Sequence, residues 1–466
     1  MIALLFYPKN NRQLKTLFLL HLGIGFLGLI SKFFVIIWFY LVLIQAIAFI
    51  HSARSLDSKH LRIINLLLYI APFEIITRML NCSPIIPYEL GKYITFILLL
   101  WGLSFSKHTN KTGYILIALL VPGIILGWSK APDYRYIVFN IMGLINLGMG
   151  IAYFGGLYLN KTKFDVNNGI RLLTYALVVT LIYTFLKTPD YEEIDFKLGS
   201  NFEASGGFGS NQVSTAFGLG MFLCFYLWQQ GTSFSGFWRF VDLALSGLFL
   251  FQGLLTFSRG GIIGGVLANV LFILWSQRYS ATGVKNRLTN VNLSKIVFLS
   301  IPILVLLTLY ANTVTKGNLL LRYQGETHGT LIGAKDNNLN NLTSGRFEIF
   351  LADFKTFSDY PILGSGVSIS SKIRTYSPGV AAHVELSRLL AEHGFLGIII
   401  FLMLITKLLY FFLNNKKSSL ILLVLSIIGL YTTFHAATRT FISPLLMSLS
   451  YLSVNNILNT KLKDNL

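Results

Sequence analysis

In the run LLTFSRGGIIGG, Arg259 stands where two apolar stretches, 241–258 and 261–276, meet, with Gly260 and Gly261 beside it. A guanidinium presents a planar fork of donors that suits the paired oxygens of a diphosphate. The glycines let backbone or ligand come close. The alternative is a snorkelling arginine that only marks the end of a span. A second cluster lies in AAHVELSRLLAEHG, where His383, Glu385, Arg388, Glu392 and His393 fall close together. Arg388 is three residues after Glu385 and four before Glu392, helical spacing for pairing with both. His383 has no acid at i+3 or i+4, so its imidazole can serve as a general base near neutral pH. A solvated histidine at a helix start is the plainer alternative, and Glu385 is the rival base.

Other charges have weaker claims. Glu74 and Arg78 sit four apart in an apolar run and read either as a self-satisfied ion pair or as a further anion contact. Arg346 opens SGRFEIFLADFKTFSDYP, and Arg322 and Arg439 are reserve cations on the same side. The triplet at Gly364–Gly366 reads as an amide nest for an anion or simply as a turn. No HExxH is present, and Cys82 and Cys224 fall on different segments, so neither a metal site nor a disulfide framework is expected.

The elements that carry these residues follow from composition. Of 466 residues, 54% are hydrophobic and 12% charged. An ordinary soluble domain carries about a quarter charged residues, which excludes a soluble enzyme. Apolar blocks of bilayer length fall near 14–30, 33–50, 61–80, 90–106, 113–128, 137–158, 172–187, 213–229, 241–258, 261–276, 296–312, 394–413, 419–436 and 441–458. Leu14–Ile30 is too long for the apolar region of a cleavable signal. Ten-residue alternating strands are missing, which excludes a β-barrel. The expectation is an all-α polytopic membrane protein with about 12–14 transmembrane helices.

The net charge of +19 invites a nucleic-acid reading, but its placement speaks for topology. With the N-terminus inside, the inner connections collect twenty basic and four acidic residues, and the outer ones seventeen and fifteen. Short-loop bias of this kind sets orientation. Both termini are therefore expected in the cytoplasm. Two outer connections are long: the acidic, Gly-rich 188–212 and the 80-residue 313–392. The expected organisation is membrane helices over 1–312, a large outer loop over 313–393 and the last spans over 394–466. Within the loop, the stretch before 344 is polar and reads as irregular. A short amphipathic helix follows, with Ser344 as N-cap, Phe347, Phe350, Leu351 and Phe354 on one face, and Pro361 as its stop. A second helix is expected over AAHVELSRLLAEHG, starting around His383 and stopped at Gly394.

TFSRGG in a span, SGRFEIF with DYPILGSG, and AHVELSRLLAEHGFLG before the last spans resemble the O-antigen ligase, O-antigen polymerase and bacterial protein O-oligosaccharyltransferase superfamily. GFGSNQVSTAFGLG, which contains Asn211, is similar to a stretch often found ahead of the membrane arginine in these proteins. The resemblance covers roughly 207–400 and implies a membrane glycosyltransferase of GT-C type. It would use an undecaprenyl-diphosphate-linked glycan at the outer face of the bacterial cytoplasmic membrane, without metal or other cofactor. The acceptor would be a glycan, a lipid or a protein. Carried over, the resemblance makes Arg259 the membrane arginine, Arg346 the loop arginine and His383 the loop histidine. Asn usually follows that histidine; here Val384 and Glu385 do. Arg78 and Arg388 are added as diphosphate contacts, and Gly260, Asn211, Gly364, Gly366 and Arg322 as lining. A transporter would show repeated halves and helices broken at midplane; no internal repeat is found. An inactive scaffold would leave the arginines and histidine unexplained.

Overall fold

A computed structural model describes residues 1–8, 10–131, 133–160, 166–230, 236–280, 293–334, 338–380, 382–414, 420–438, 440 and 442–455. Arg439 lies outside the described residues. The chain is all-α and polytopic, as expected. Among the described residues, eight helices are long and apolar enough to cross a membrane, or nine if one bent pair counts as a span. The chain divides into two compact units: Met1–Gly91 with Asp165–Leu331, and Lys92–Phe164 with Ile332–Leu466.

In the first unit, the helices Asn11–Ile30, Lys32–His51, Val166–Lys187, Ser210–Gln230, Gly236–Leu255, Arg259–Ser280 and Leu293–Val314 accompany a broken one. The apolar run at 61–80 is that broken helix, Leu56–Ile70 then Phe73–Met79. Pro72 has no N–H to continue the ladder. The Arg259 helix packs backbone to backbone on the Ser210 helix. A Cβ at Gly261 would lie 2.2 Å from the Ser214 carbonyl oxygen, and one at Gly218 would lie 1.9 Å from that of Gly261. Small residues at four-residue spacing allow such an approach, and nothing larger would. Across the bundle Arg171 pairs with Asp242, both buried. After Val314, Lys316 and Gly317 take positive φ, and the chain turns by 111° into the short Asn318–Gln324 helix.

The second unit holds Lys111–Lys130, Tyr134–Phe154, Phe395–Asn414, Leu420–Thr432 and Ile442–Leu449, together with the loop helices Arg346–Asp359 and Glu385–His393. The runs at 137–158 and 441–458 end differently from expectation. Tyr158–Asn160 and Ser453–Asn455 form a parallel two-stranded ladder, with Tyr158 opposite Ser453. Apolar periodicity does not separate a helix end from a short buried strand.

The loop departs from expectation in two ways. Its polar first part is helical at Asn318–Gln324, His328–Leu331 and Leu339–Leu342. Ser344, at φ 57°, is not the cap of the next helix; Gly345, at φ 80°, is. The helix that follows buries a partly polar edge. Ile349, Asp353 and Thr356 are inside, while Phe347, Leu351 and Phe354 are exposed.

Candidate active site

The site is built first around a turn. The Gly236–Leu255 helix stops at Leu255, Phe257 swings to φ 53°, and Arg259 becomes the first residue of the next helix. Phe257 is held in that left-handed conformation by stacking on Phe196, 5.5 Å between ring centres. Ser258 Oγ donates to Asn211 Oδ1 at 2.6 Å, and Ser214 Oγ donates to the Ser258 carbonyl. Asn211 thus acts on the residue that precedes Arg259. The half-buried Arg259 donates from Nη1 to the carbonyls of Arg322 at 2.9 Å and Tyr323 at 3.5 Å. The 111° turn brings that carbonyl back, so two arginines singled out by sequence become neighbours. A helix start already carries positive potential. A guanidinium added there makes a place suited to a multiply charged anion.

The acidic 188–212 segment is tied to the same end. Asn201 N donates to Thr256 O, Gln252 Nε2 to Ala204 O, and Asn318 Nδ2 to Phe196 O, each at 2.9 Å. Arg78 is committed elsewhere. It is buried against Glu74 and Glu89, donates from Nε to Tyr88 O at 3.0 Å and lies 4.1 Å over the Tyr88 ring. Two carboxylates already balance it, so the ion-pair alternative describes it better than an anion contact.

In the second unit the loop residues form a closed network. Glu385 and Arg388 are a buried ion pair. Glu385 Oε2 also accepts from Thr438 N at 3.0 Å and Thr438 Oγ1 at 3.2 Å. Arg388 Nη1 donates to Asn140 O at 2.7 Å. Arg388 is therefore a fastening between helices rather than an open anion contact. Asp353 pairs with Arg374 at 3.2 Å and accepts from Ser387 Oγ at 2.8 Å. Glu392 accepts from Ser368 N at 2.9 Å, and burial pushes its carboxyl up to about 7. Burial, helped by Arg388, holds His393 down to about 3, so it stays neutral.

Gly364 and Gly366, both at positive φ, form a turn and not an open nest. The amides of Gly364, Ser365 and Gly366 donate to the carbonyls of Tyr360, Ala391 and Glu392. A Cβ at Gly366 would lie 2.6 Å from Gly127 N. Arg346 opens its helix.

His383 does not start a helix; the helix runs Glu385–His393 with Val384 as N-cap. His383 is half-buried in the segment before it, whereas Glu385 is buried with its oxygens taken by an arginine, an amide and a hydroxyl. A general base needs a lone pair within reach of the substrate proton. That favours His383. The reading by spacing missed Asn140, Asp353 and Thr438. Only Thr438 had a signal, the hydroxyl-rich TTFHAATRT inside an apolar run. Among the described residues, no three His, Cys, Asp or Glu side chains cluster as metal ligands.

With this geometry in view, the family model described as O-antigen ligase matches residues 243–402. Over that stretch, about a third of its length, the chain is similar to O-antigen ligases. The O-antigen ligase match takes in Arg259, Arg322, Arg346, His383 and Glu385, and leaves Arg78 and Asn211 outside. It implies a ligase- or polymerase-type glycan transfer by an integral membrane protein. No curated protein and no solved structure matches significantly.

Proposed function

We propose that the chain transfers a glycan from undecaprenyl diphosphate to an acceptor hydroxyl at the periplasmic face of the cytoplasmic membrane, inverting the anomeric centre and using no metal. The observation that carries this reading is Arg259 at a helix start, aimed by main-chain carbonyls and by the Ser258–Asn211 bond, inside the O-antigen ligase match. The acceptor oxygen attacks the anomeric carbon as the carbon–oxygen bond to the diphosphate breaks. The acceptor proton passes to His383, and the bonding electrons leave on the diphosphate. Preorganised guanidinium groups stabilise that growing charge, most of all where water is scarce. Arg259 is the principal clamp, with Arg322 beside it and Arg346 as the loop's contribution. Ligase, polymerase and protein transferase readings share this chemistry and differ only in the acceptor.

The outer placement of 313–393, with both termini cytoplasmic, belongs to the same proposal. A cysteine at Asn338 should react with a membrane-impermeant maleimide from outside, and one at Lys417 only after the membrane is opened. Reversed labelling rejects the topology. For the reaction, the purified chain is given a lipid-diphosphate glycan, chelator and a panel of glycan, lipid and peptide acceptors. A glycosylated product of inverted configuration is expected. Failure to form any product, with donor intact, rejects the reading.

A further inference from the structure

The four helices Ser210–Gln230, Gly236–Leu255, Arg259–Ser280 and Leu293–Val314 of the first unit line a half-open cavity of about 240 Å³. It exists because small residues face one another there. Gly247 has nothing nearer than Leu307 Cδ1, 3.5 Å from where its Cβ would be, and Ser246 and Ser300 line the same space. The remaining wall is apolar, with Trp228, Val270 and Leu304 among its residues. The one amide in the wall is Asn269, whose Oδ1 is buried without a hydrogen-bond partner. Sugars and phosphates require many donors and acceptors, so this lining rejects them and accepts hydrocarbon.

The position of the cavity decides which hydrocarbon. Val266, Val270 and Ile273 line it, and they follow Arg259 at steps of seven, four and three, which places all four on one helical face. At 1.5 Å per residue the cavity runs about 10 to 21 Å below Arg259 along the same helix. Its volume is under the ~300–1,000 Å³ of ordinary small-molecule sites, enough for part of one chain and not for the paired chains of a phospholipid. We infer that this cavity is the seat of the donor's polyprenyl chain, whose diphosphate is held above it at Arg259. The inference rests on the donor reading given above and adds to it a chain-length preference: the enzyme measures its donor partly by the isoprenoid units that reach this depth. The glycan itself is left outside the bundle.

Two fillings test it from opposite walls, Val270→Trp on the Arg259 helix and Gly247→Leu on its neighbour. The full chain is assayed in nanodiscs with two donors that carry the same glycan, one on a long polyprenyl diphosphate and one on a ten-carbon isoprenoid diphosphate. Wild type should prefer the long donor in kcat/KM, and each filling should cut that preference about tenfold, equivalent to ~1.4 kcal/mol, mainly through KM. A preference for the long donor that survives in both folded variants overturns the inference while leaving the donor reading intact. If wild type uses neither donor, the donor reading fails and takes the inference with it. A photoreactive polyprenyl diphosphate should also label 266–273 or 300–307, and unlabelled polyprenyl diphosphate should compete while phospholipid does not. Equal competition by phospholipid would assign the cavity to a bilayer chain and overturn the inference.

Discussion

Arg259 and Arg388 are the central cations of the two units, and they are held in opposite ways. Arg259 is half-buried and hydrogen-bonds from Nη1 to main-chain carbonyls, which aim its fork. Arg388 is buried, ion-paired with Glu385 and bonded to Asn140 and Thr438. A main-chain carbonyl orients a guanidinium, whereas a carboxylate partner spends its charge inside the protein. A buried pair of this kind tells of what falls apart when one member is removed, more than of net stability.

The largest effect should come from breaking the spent pair. Arg388→Met strands Glu385 without its counter-charge, at about 3–5 kcal/mol. Melting in detergent should fall sharply, and the added change Glu385→Gln should recover much of the loss. A single variant as stable as wild type would erase the contrast. Next is Arg259→Lys, which keeps the charge and loses the fork. Transfer should drop in kcat by about 10²–10³-fold with melting nearly unmoved; wild-type turnover would reduce Arg259 to a span-end anchor.

Smaller again is His383→Ala. Its kcat should fall by ~10²-fold, donor KM should hold, and the acidic limb of the pH–rate profile should vanish. Glu385→Gln should instead lose stability and keep that limb. The opposite pattern moves the proton to Glu385.

The smallest test concerns Glu392. Its folded value is about 7 against an ordinary 4.5, so the folded state holds a proton that the unfolded chain has released. The stabilisation is complete below about 4.5 and is lost as pH rises to about 7. Glu392→Gln mimics the protonated form, so its melting temperature should stay flatter between pH 5 and 8 than that of wild type. Parallel curves would show that burial does not hold this proton.

The fold class was legible because a bilayer demands long apolar runs, and Arg259 because an arginine with two glycines between such runs is conspicuous. The partners of Glu385 and Arg388 were not. Thr438 lies 53 residues beyond Glu385, and Asn140 lies 248 before Arg388, while helical spacing speaks only for neighbours within one turn. The Arg346–Asp359 helix shows a different limit. Periodicity put Phe347, Phe350, Leu351 and Phe354 on one face without saying which face of the helix turns inward. The polar edge with Asp353 turns in to meet Arg374 and Ser387, contacts that periodicity within one helix does not reveal. The same ambiguity hid the 158–160 and 453–455 strands inside apolar runs.

The contact of Gly218 and Gly261 leaves no room for even one methyl group, and Gly265 on the same helix is as close, its Cβ position 2.3 Å from the Gly218 carbonyl oxygen. Alleles that abolish the chain's activity should therefore gather at these three glycines, which pack against backbone, as readily as at Arg259. A geneticist mapping such alleles would meet a seam running into the membrane, and its width would measure how little play the arginine's post can tolerate.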